Sequence, residues 1–448
     1  MRRHRKLTNQ AQAGAFARVD DLGAERRSLP LKSLPTFHSN GGTIDLRTRL
    51  AVISAHLTIL LPVKDRVPFT HRWLAYAASA DLPFRILIAD GGSDDTVAPL
   101  VAESKAHGLD VEYVRYPFDR SYGDYYGKIA NALSRVTTPF VVMADNDDFF
   151  IPHGLARAVE FLLAHDDHVA CGGQCALFWV AGAGPPAAAD TRYGNRVVWK
   201  CSSQFSSDVA VTAQQRLRER CRGANDVFYA VHRTELLRRH FEAVRDCNPH
   251  DLFLMEELVM FLTAIAGKTR QLDTLYIARQ QDSPGSSAGA HQDRFGDWYD
   301  RMLLPTWSED FTRFVDYASA ALSRADGIPD DEARRAVVES YKMSVAPFLL
   351  ADLIEQPTVS FATPLVLQVV RRLVNLPRTS AVRRLAQALY RRTQWLSHDF
   401  VHGTEFRTRR SREAAREFTP VRVFLTGRAR PGFGAEGAGR HNSSTAGT

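Results

Sequence analysis

The sequence has no C-x-x-C pair, no long uncharged apolar run and no internal repeat, and no lysine follows residue 364. Its five cysteines (Cys171, Cys175, Cys201, Cys221 and Cys247) form no complete paired framework. A disulfide scaffold and a paired-cysteine zinc or redox centre are therefore excluded, and reduced thiols in a cytoplasmic protein are expected. No apolar stretch approaches the roughly 18–20 residues a membrane span requires, and no signal-peptide pattern follows the charged Met1–Lys6 start.

What is present is ordinary globular composition: 45% hydrophobic and 24% charged residues over 448 positions, enough for more than one unit. The pI near 9.2 invites a nucleic-acid reading. The charge is unevenly placed, however. Residues 1–50 carry a net +6 and residues 365–448 a net +11, which leaves −10 for residues 51–364. The basic character belongs to the ends, the centre is acidic, and no nucleic-acid partner is expected.

Residues 1–54 show no sustained periodicity and read as a flexible basic arm. From Leu57 the pattern changes. The continuous apolar run Leu57–Val63 reads as a strand buried on both faces. After it come a helix near Phe69–Ser79, a strand at Arg85–Ala89 and a helix over about Thr96–Ala106. A strand at Val111–Arg115, a helix over about Tyr125–Arg135 and a strand at Phe140–Met143 complete the alternation. Such alternation predicts βαβ units and a mostly parallel, Rossmann-like α/β sheet. Ala181–Asp190 and Gln281–Ala290 read as loops. Leu252, Met255, Val259, Leu262 and Ile265 mark one helix face running to a stop at Gly267, with Asn248-Pro249 as its cap and first residue. The expected organisation is an arm over 1–54, a catalytic domain over 55–292, a helical region over 293–402 and a disordered basic tail over 403–448.

Two acidic clusters sit at strand ends. Asp90-Gly91-Gly92-Ser93-Asp94-Asp95-Thr96 follows the second strand, and Asp145-Asn146-Asp147-Asp148 follows the fourth. Ligands of open α/β sheets bind beyond the carboxyl ends of the strands, where both clusters lie. Three carboxylates within four residues repel one another, and a divalent cation with oxygen ligands, Mg2+ or Mn2+, would offset them and bind a diphosphate. Either cluster alone would read as a turn or a solvated loop; the pair at two strand ends is what carries the reading.

In these segments the chain resembles the family 2 glycosyltransferases of the GT-A fold over about residues 57–285. Leu61–Arg66 is similar to that family's first strand and turn, Ile88–Thr96 to its nucleotide segment, and Met143–Asp148, with Pro152 beyond, to its Asp-x-Asp metal segment. The resemblance implies a nucleotide-sugar donor bound by Pro62, Asp65, Asp90, Gly92, Ser93, Asp95 and Asp145, with Asp90 at the base. It implies a metal on Asp147 and Asp145, with Asp148 adjoining, and places Lys128 and Asn131 near the donor, in a segment where the family often has a basic residue. Its catalytic base would be Glu256 or Glu257, placed by their distance to Gly267, although the family more often has aspartate there. The Gln-x-x-Arg-Trp motif of processive polymer synthases is absent, which favours transfer of a single sugar to a hydroxyl-bearing acceptor.

Two other segments carry weaker signals. Asn225–Arg233 fits an acceptor pocket or a core strand with a satisfied His232. Arg371, Arg372, Arg378, Arg383, Arg384, Arg391 and Arg392 alternate with apolar residues, as in a solvated helical face or a peripheral contact with an anionic membrane. A sugar-phosphate nucleotidyltransferase would share the architecture, but it would have a glycine-rich loop where this chain has Pro62–Arg66. A catalytically inactive binding module is the remaining alternative.

Overall fold

Six of the seven residues of β1 (Leu57–Val63) are buried, as a strand covered on both faces requires. The structure, a computed structural model, describes residues 53–354 and 409–427, except 182–191, 195, 204, 206, 223–226 and 282. The described residues lie in one unit, Leu46–Thr448. Parallel to β1 on one side runs β2 (Arg85–Asp90), with β3 (Val111–Arg115) beyond it; β4 (Phe140–Met143) is parallel on the other side. Their connections are the helices α1 (Val67–Ser79), α2 (Val97–Ala106) and α3 (Tyr122–Arg135), so the Rossmann-like half is as the alternation predicts.

Past β4 the sheet turns mixed. β5 (Phe149–Phe150) and α4 (Pro152–Ala164) lead to a long β6 (His168–Ala181), which pairs antiparallel with β7 (Arg196–Ser203) and with β8 (Val231–Arg233). β8 is antiparallel to β4, while β9 (Lys268–Gln280) runs parallel to β6 and antiparallel to β5. The sheet order is β3-β2-β1-β4-β8-β6-β9-β5, with β7 on β6. The expectation of a mostly parallel sheet thus holds for the first half and fails for the second. There, β8 runs antiparallel to both β4 and β6, and β7 returns antiparallel along β6.

Between β7 and β8 lies α5 (Ala213–Arg220), and between β8 and β9 lie α6 (Thr234–Cys247) and α7 (Leu252–Ala266). Asn248 does not cap α7. It ends α6 in a left-handed conformation with φ 45°, and Asp251 caps α7 by accepting the Leu254 N–H at 2.9 Å. The stop at Gly267 is where the sequence put it. After β9 come α8 (Ser287–Phe295), α9 (Trp298–Met302), α10 (Trp307–Asp326) and α11 (Asp330–Ile354); α8 occupies part of the expected Gln281–Ala290 loop.

The expected disordered tail needs a correction, because residues 409–425 form the helix α12 (Arg409–Leu425). Phe418, Val421, Phe424 and Leu425 recur at helical spacing and pack against Tyr76, Phe149, Phe178 and Trp199. The arginine and glycine content around them hid a four-residue apolar stripe. The arm over 1–52, most of the Ala181–Asp190 loop and the arginine series 371–392 lie outside the described residues.

Candidate active site

A cleft of about 1390 Å³ opens at the carboxyl edge of the parallel strands. That exceeds the roughly 300–1,000 Å³ of a typical single-ligand pocket and leaves room for two substrates. One wall is the turn after β1. Asp65 and Arg66 are both left-handed there, with φ 54° and 50°, a strained conformation for non-glycine residues. The Asp65 carboxylate holds the turn by accepting the N–H and the hydroxyl of Ser93, each at 2.8 Å.

The floor is the acidic turn between β4 and β5. Ligand oxygens of Asp145, Asp147 and Asp148 lie within 4.8 Å of one another. Asp148 is the most enclosed: it accepts the Gln280 N–H at 2.9 Å and pairs with Arg279 Nε at 2.9 Å. Burial, with Asp147 and Asp145 nearby, pushes its pKa up to about 8. Asp145 accepts the Tyr229 hydroxyl at 2.5 Å, and its pKa is raised first by burial and then by Asp147. Asp147 pairs with Arg66 at 3.1 Å, and its main-chain carbonyl accepts from Arg72 at 3.1 Å. Burial brings Arg72 down to about 10.

These residues fit a hard divalent cation. Asp145 and Asp147 both line the cleft, and each has one carboxylate oxygen that accepts no hydrogen bond among the described residues. Burial first, and then the neighbouring carboxylates, raise Asp145 and Asp148, and a cation held there would offset both. Asp148 is a weaker ligand candidate than the sequence suggests, since both its oxygens are already used.

The two glutamates face different ways. Glu256 lines the cleft beside the acidic turn, and burial, followed by Asp145, Glu257 and Asp251, pushes its pKa up to about 8. Glu257, about 100° round the helix, is buried towards α11 and accepts the Ser344 hydroxyl at 3.0 Å. Burial raises it to about 7, and its other oxygen has no partner.

Several expected donor residues lie elsewhere. Asp90 is wholly buried. Its Oδ1 accepts the Gly92 N–H at 2.8 Å and pairs with Arg115 at 3.0 Å, and its Oδ2 accepts the Tyr113 hydroxyl at 2.8 Å. Its carboxylate therefore organises the turn rather than facing the cleft. Gly92 and Ser93 belong to that same turn, and Asp95 pairs with Arg115 at 3.2 Å. Lys128 is buried against Asp119 and the Val63 carbonyl (3.0 Å), with its pKa lowered by burial. Asn131 accepts the Tyr116 hydroxyl at 2.8 Å, away from the cleft. His232 is a core residue: it pairs with the Val227 carbonyl at 2.9 Å and burial lowers it to about 4.

Sequence reasoning gave no role to Arg66, Asp119 or Arg279, which line the cleft; Tyr229, also in the wall, belongs to the Asn225–Arg233 segment read as an acceptor pocket or a core strand. Asp119 alone had a legible signal. It follows β3 at the same sheet edge as Asp90 and Asp145, and its carboxylate lies where a side chain at Gly91 would have to go.

Fold and site together define an α/β protein with an acidic cleft, large enough for two substrates, at the sheet's carboxyl edge. Residues 58–196 match the model of the family described as glycosyl transferase family 2, so the chain carries a glycosyltransferase domain. Among solved structures, TarS 1–349 of S. aureus in complex with UDP-GlcNAc is 15% identical, at a TM-score of 0.41 over 83% of this chain and 92% of that one. The mannosyltransferase PcManGT from Pyrobaculum calidifontis, in complex with GDP-Man and Mn2+, is 12% identical, at a TM-score of 0.35 over 76% and 87% of the two chains. No curated protein matches the sequence. No helix among the described residues is long and apolar enough to cross a membrane.

Proposed function

We propose that this chain moves a single sugar from a nucleoside-diphosphate sugar to an acceptor hydroxyl, with inversion at the anomeric carbon. The observation that carries this reading is the convergence of Glu256, from α7, with Asp145 and Asp147, from the β4–β5 turn, in one cleft at the sheet edge. Asp145 and Asp147 would hold Mg2+ or Mn2+, which supplies positive charge against the departing diphosphate. Glu256 takes the proton of the acceptor hydroxyl at its carboxylate. Its partly desolvated position raises its basicity towards working pH, as a general base requires. Tyr229, donating to Asp145, and Arg279, holding Asp148, keep the acidic turn in shape. Asp90 supports the donor through the turn it ties together. Peripheral contact with an anionic membrane is part of the proposal, carried by the basic charge after residue 364.

The test is donor turnover across a panel of nucleotide sugars with Mn2+, Mg2+ or chelator, and NMR of the product's anomeric proton. Turnover at full rate in chelator would remove the metal from the reading. A product that keeps the donor's anomeric configuration would remove inversion and the role given to Glu256.

A further inference from the structure

Arg66 pairs with one of the two carboxylates that would hold a divalent cation. Its Nη2 lies 3.1 Å from Asp147 Oδ2 and 2.5 Å from the Ser283 hydroxyl, and its Nη1 lies 3.2 Å from Asn146 Oδ1. The guanidinium rests over the Phe69 ring at 4.2 Å, and the pair is mostly enclosed, with side-chain exposures of 18% for Arg66 and 9% for Asp147. Asn146 is itself braced by donating to the Thr70 hydroxyl at 3.1 Å. Arg66 thus joins three cleft elements: the left-handed turn after β1, the acidic turn, and the segment after β9.

We propose that Arg66 is a resident counter-cation that keeps divalent metal binding at Asp147 weak until a nucleoside diphosphate is present. This rests on the metal reading of the proposed function. A guanidinium and a metal ion on one carboxylate repel each other in a poorly solvated cleft. A diphosphate places negative charge beside both, so each becomes a partner of the ligand rather than a competitor of the other, and Arg66 suits that role as a fork-shaped phosphate donor. Metal and nucleotide then bind synergistically, and by linkage each strengthens the other by the same factor.

The experiment measures Mn2+ binding alone, by the electron paramagnetic resonance signal of free ion, in wild type and Arg66→Gln. It repeats the titration with whichever of UDP, GDP and ADP binds the wild type tightest. An opposite charge at this range shifts a carboxylate's affinity for a cation by about tenfold or more. Arg66→Gln is therefore expected to bind Mn2+ alone about tenfold tighter, to bind the nucleoside diphosphate more weakly, and to lose most of the coupling between them. Ser283→Ala, which releases the guanidinium and keeps its charge, is expected to tighten Mn2+ by a smaller factor and serves if the first variant does not fold. Metal affinity unchanged or weaker in the folded variants, with wild type still binding Mn2+ beside nucleotide, overturns the role of Arg66 alone. A wild type that binds nucleotide but never Mn2+ overturns the metal reading and this inference with it.

Discussion

Replacing Glu256 by glutamine removes a proton acceptor while keeping nearly the same shape at the cleft wall. A general base typically contributes about 10²–10⁴ in rate, or about 3–5 kcal/mol of barrier. Glu256→Gln is expected to lower turnover by that factor and to leave donor affinity within a few-fold, because the base acts mainly in the transition state. The wild-type pH profile gives a second readout. With its pKa pushed up to about 8, Glu256 is mostly protonated in the free enzyme at neutral pH and acts only when ionised. The kcat/KM of the wild type should therefore rise about tenfold per pH unit below pH 8 and level off above it. The assay is initial-rate release of nucleoside diphosphate with donor and acceptor below their KM values, from pH 5.5 to 9.5, for wild type, Glu256→Gln and Glu257→Gln. Near-full turnover by Glu256→Gln, or a profile flat from pH 6 to 8, would refute the assignment. If Glu257→Gln were the disabled variant instead, its packing against Ser344 would have to open in the complex. If both stayed active, Asp251 would be next, although His291 and Arg301 already hold its carboxylate.

The other expectations concern the frame of the site. Glu257 is protonated in the fold up to about pH 7 but only to about 4.5 when unfolded, so the stability linked to it is whole at low pH and lost as pH rises through 7. Glu257→Gln should match wild type near pH 4.5 and exceed it by about 3 kcal/mol at pH 8 in urea unfolding, and equal stabilities at pH 8 would refute this. Asp90→Asn weakens the contact of buried Asp90 with the half-buried Arg115 and should cost about 2 kcal/mol of stability as well as nucleotide affinity. Weakened nucleotide binding with unchanged thermal stability would instead mean that Asp90 touches the base directly. Phe418→Ala should destabilise the domain by about 3–5 kcal/mol, read as a lower melting temperature, because Phe418 packs on Trp199 and Phe178. No change would mean that α12 does not hold to the sheet in solution.

The sequence by itself determined the first half of the fold and the address of the site. Continuous apolar runs such as Leu57–Val63 and Phe140–Met143 can only be strands covered on both faces, and alternation with helices forces their ends to one edge. Asp90 and Asp145–Asp148 directly follow such runs, so their location was legible from local pattern. The resemblance, through the distance to Gly267, marked Glu256 and Glu257 as a pair and left open which of them meets the cleft.

Which way the side chains point was decided by partners distant in the chain. Asp90 is consumed by Tyr113 and Arg115, 23 and 25 residues on, and Lys128 turns inward to Asp119 and the Val63 carbonyl. Arg66 reaches Ser283 across 217 residues, and nothing in either local sequence signals that contact. Glu256 and Glu257 are chemically alike and adjacent in sequence. Only the packing of α7, with the cleft on one side and Ser344 on the other, opens one to the cleft and buries the other as a core acid. The docking of α12 was hidden for a related reason: a short apolar stripe in a basic segment becomes a helix face only when Tyr76, Phe149 and Trp199 offer it a surface to cover.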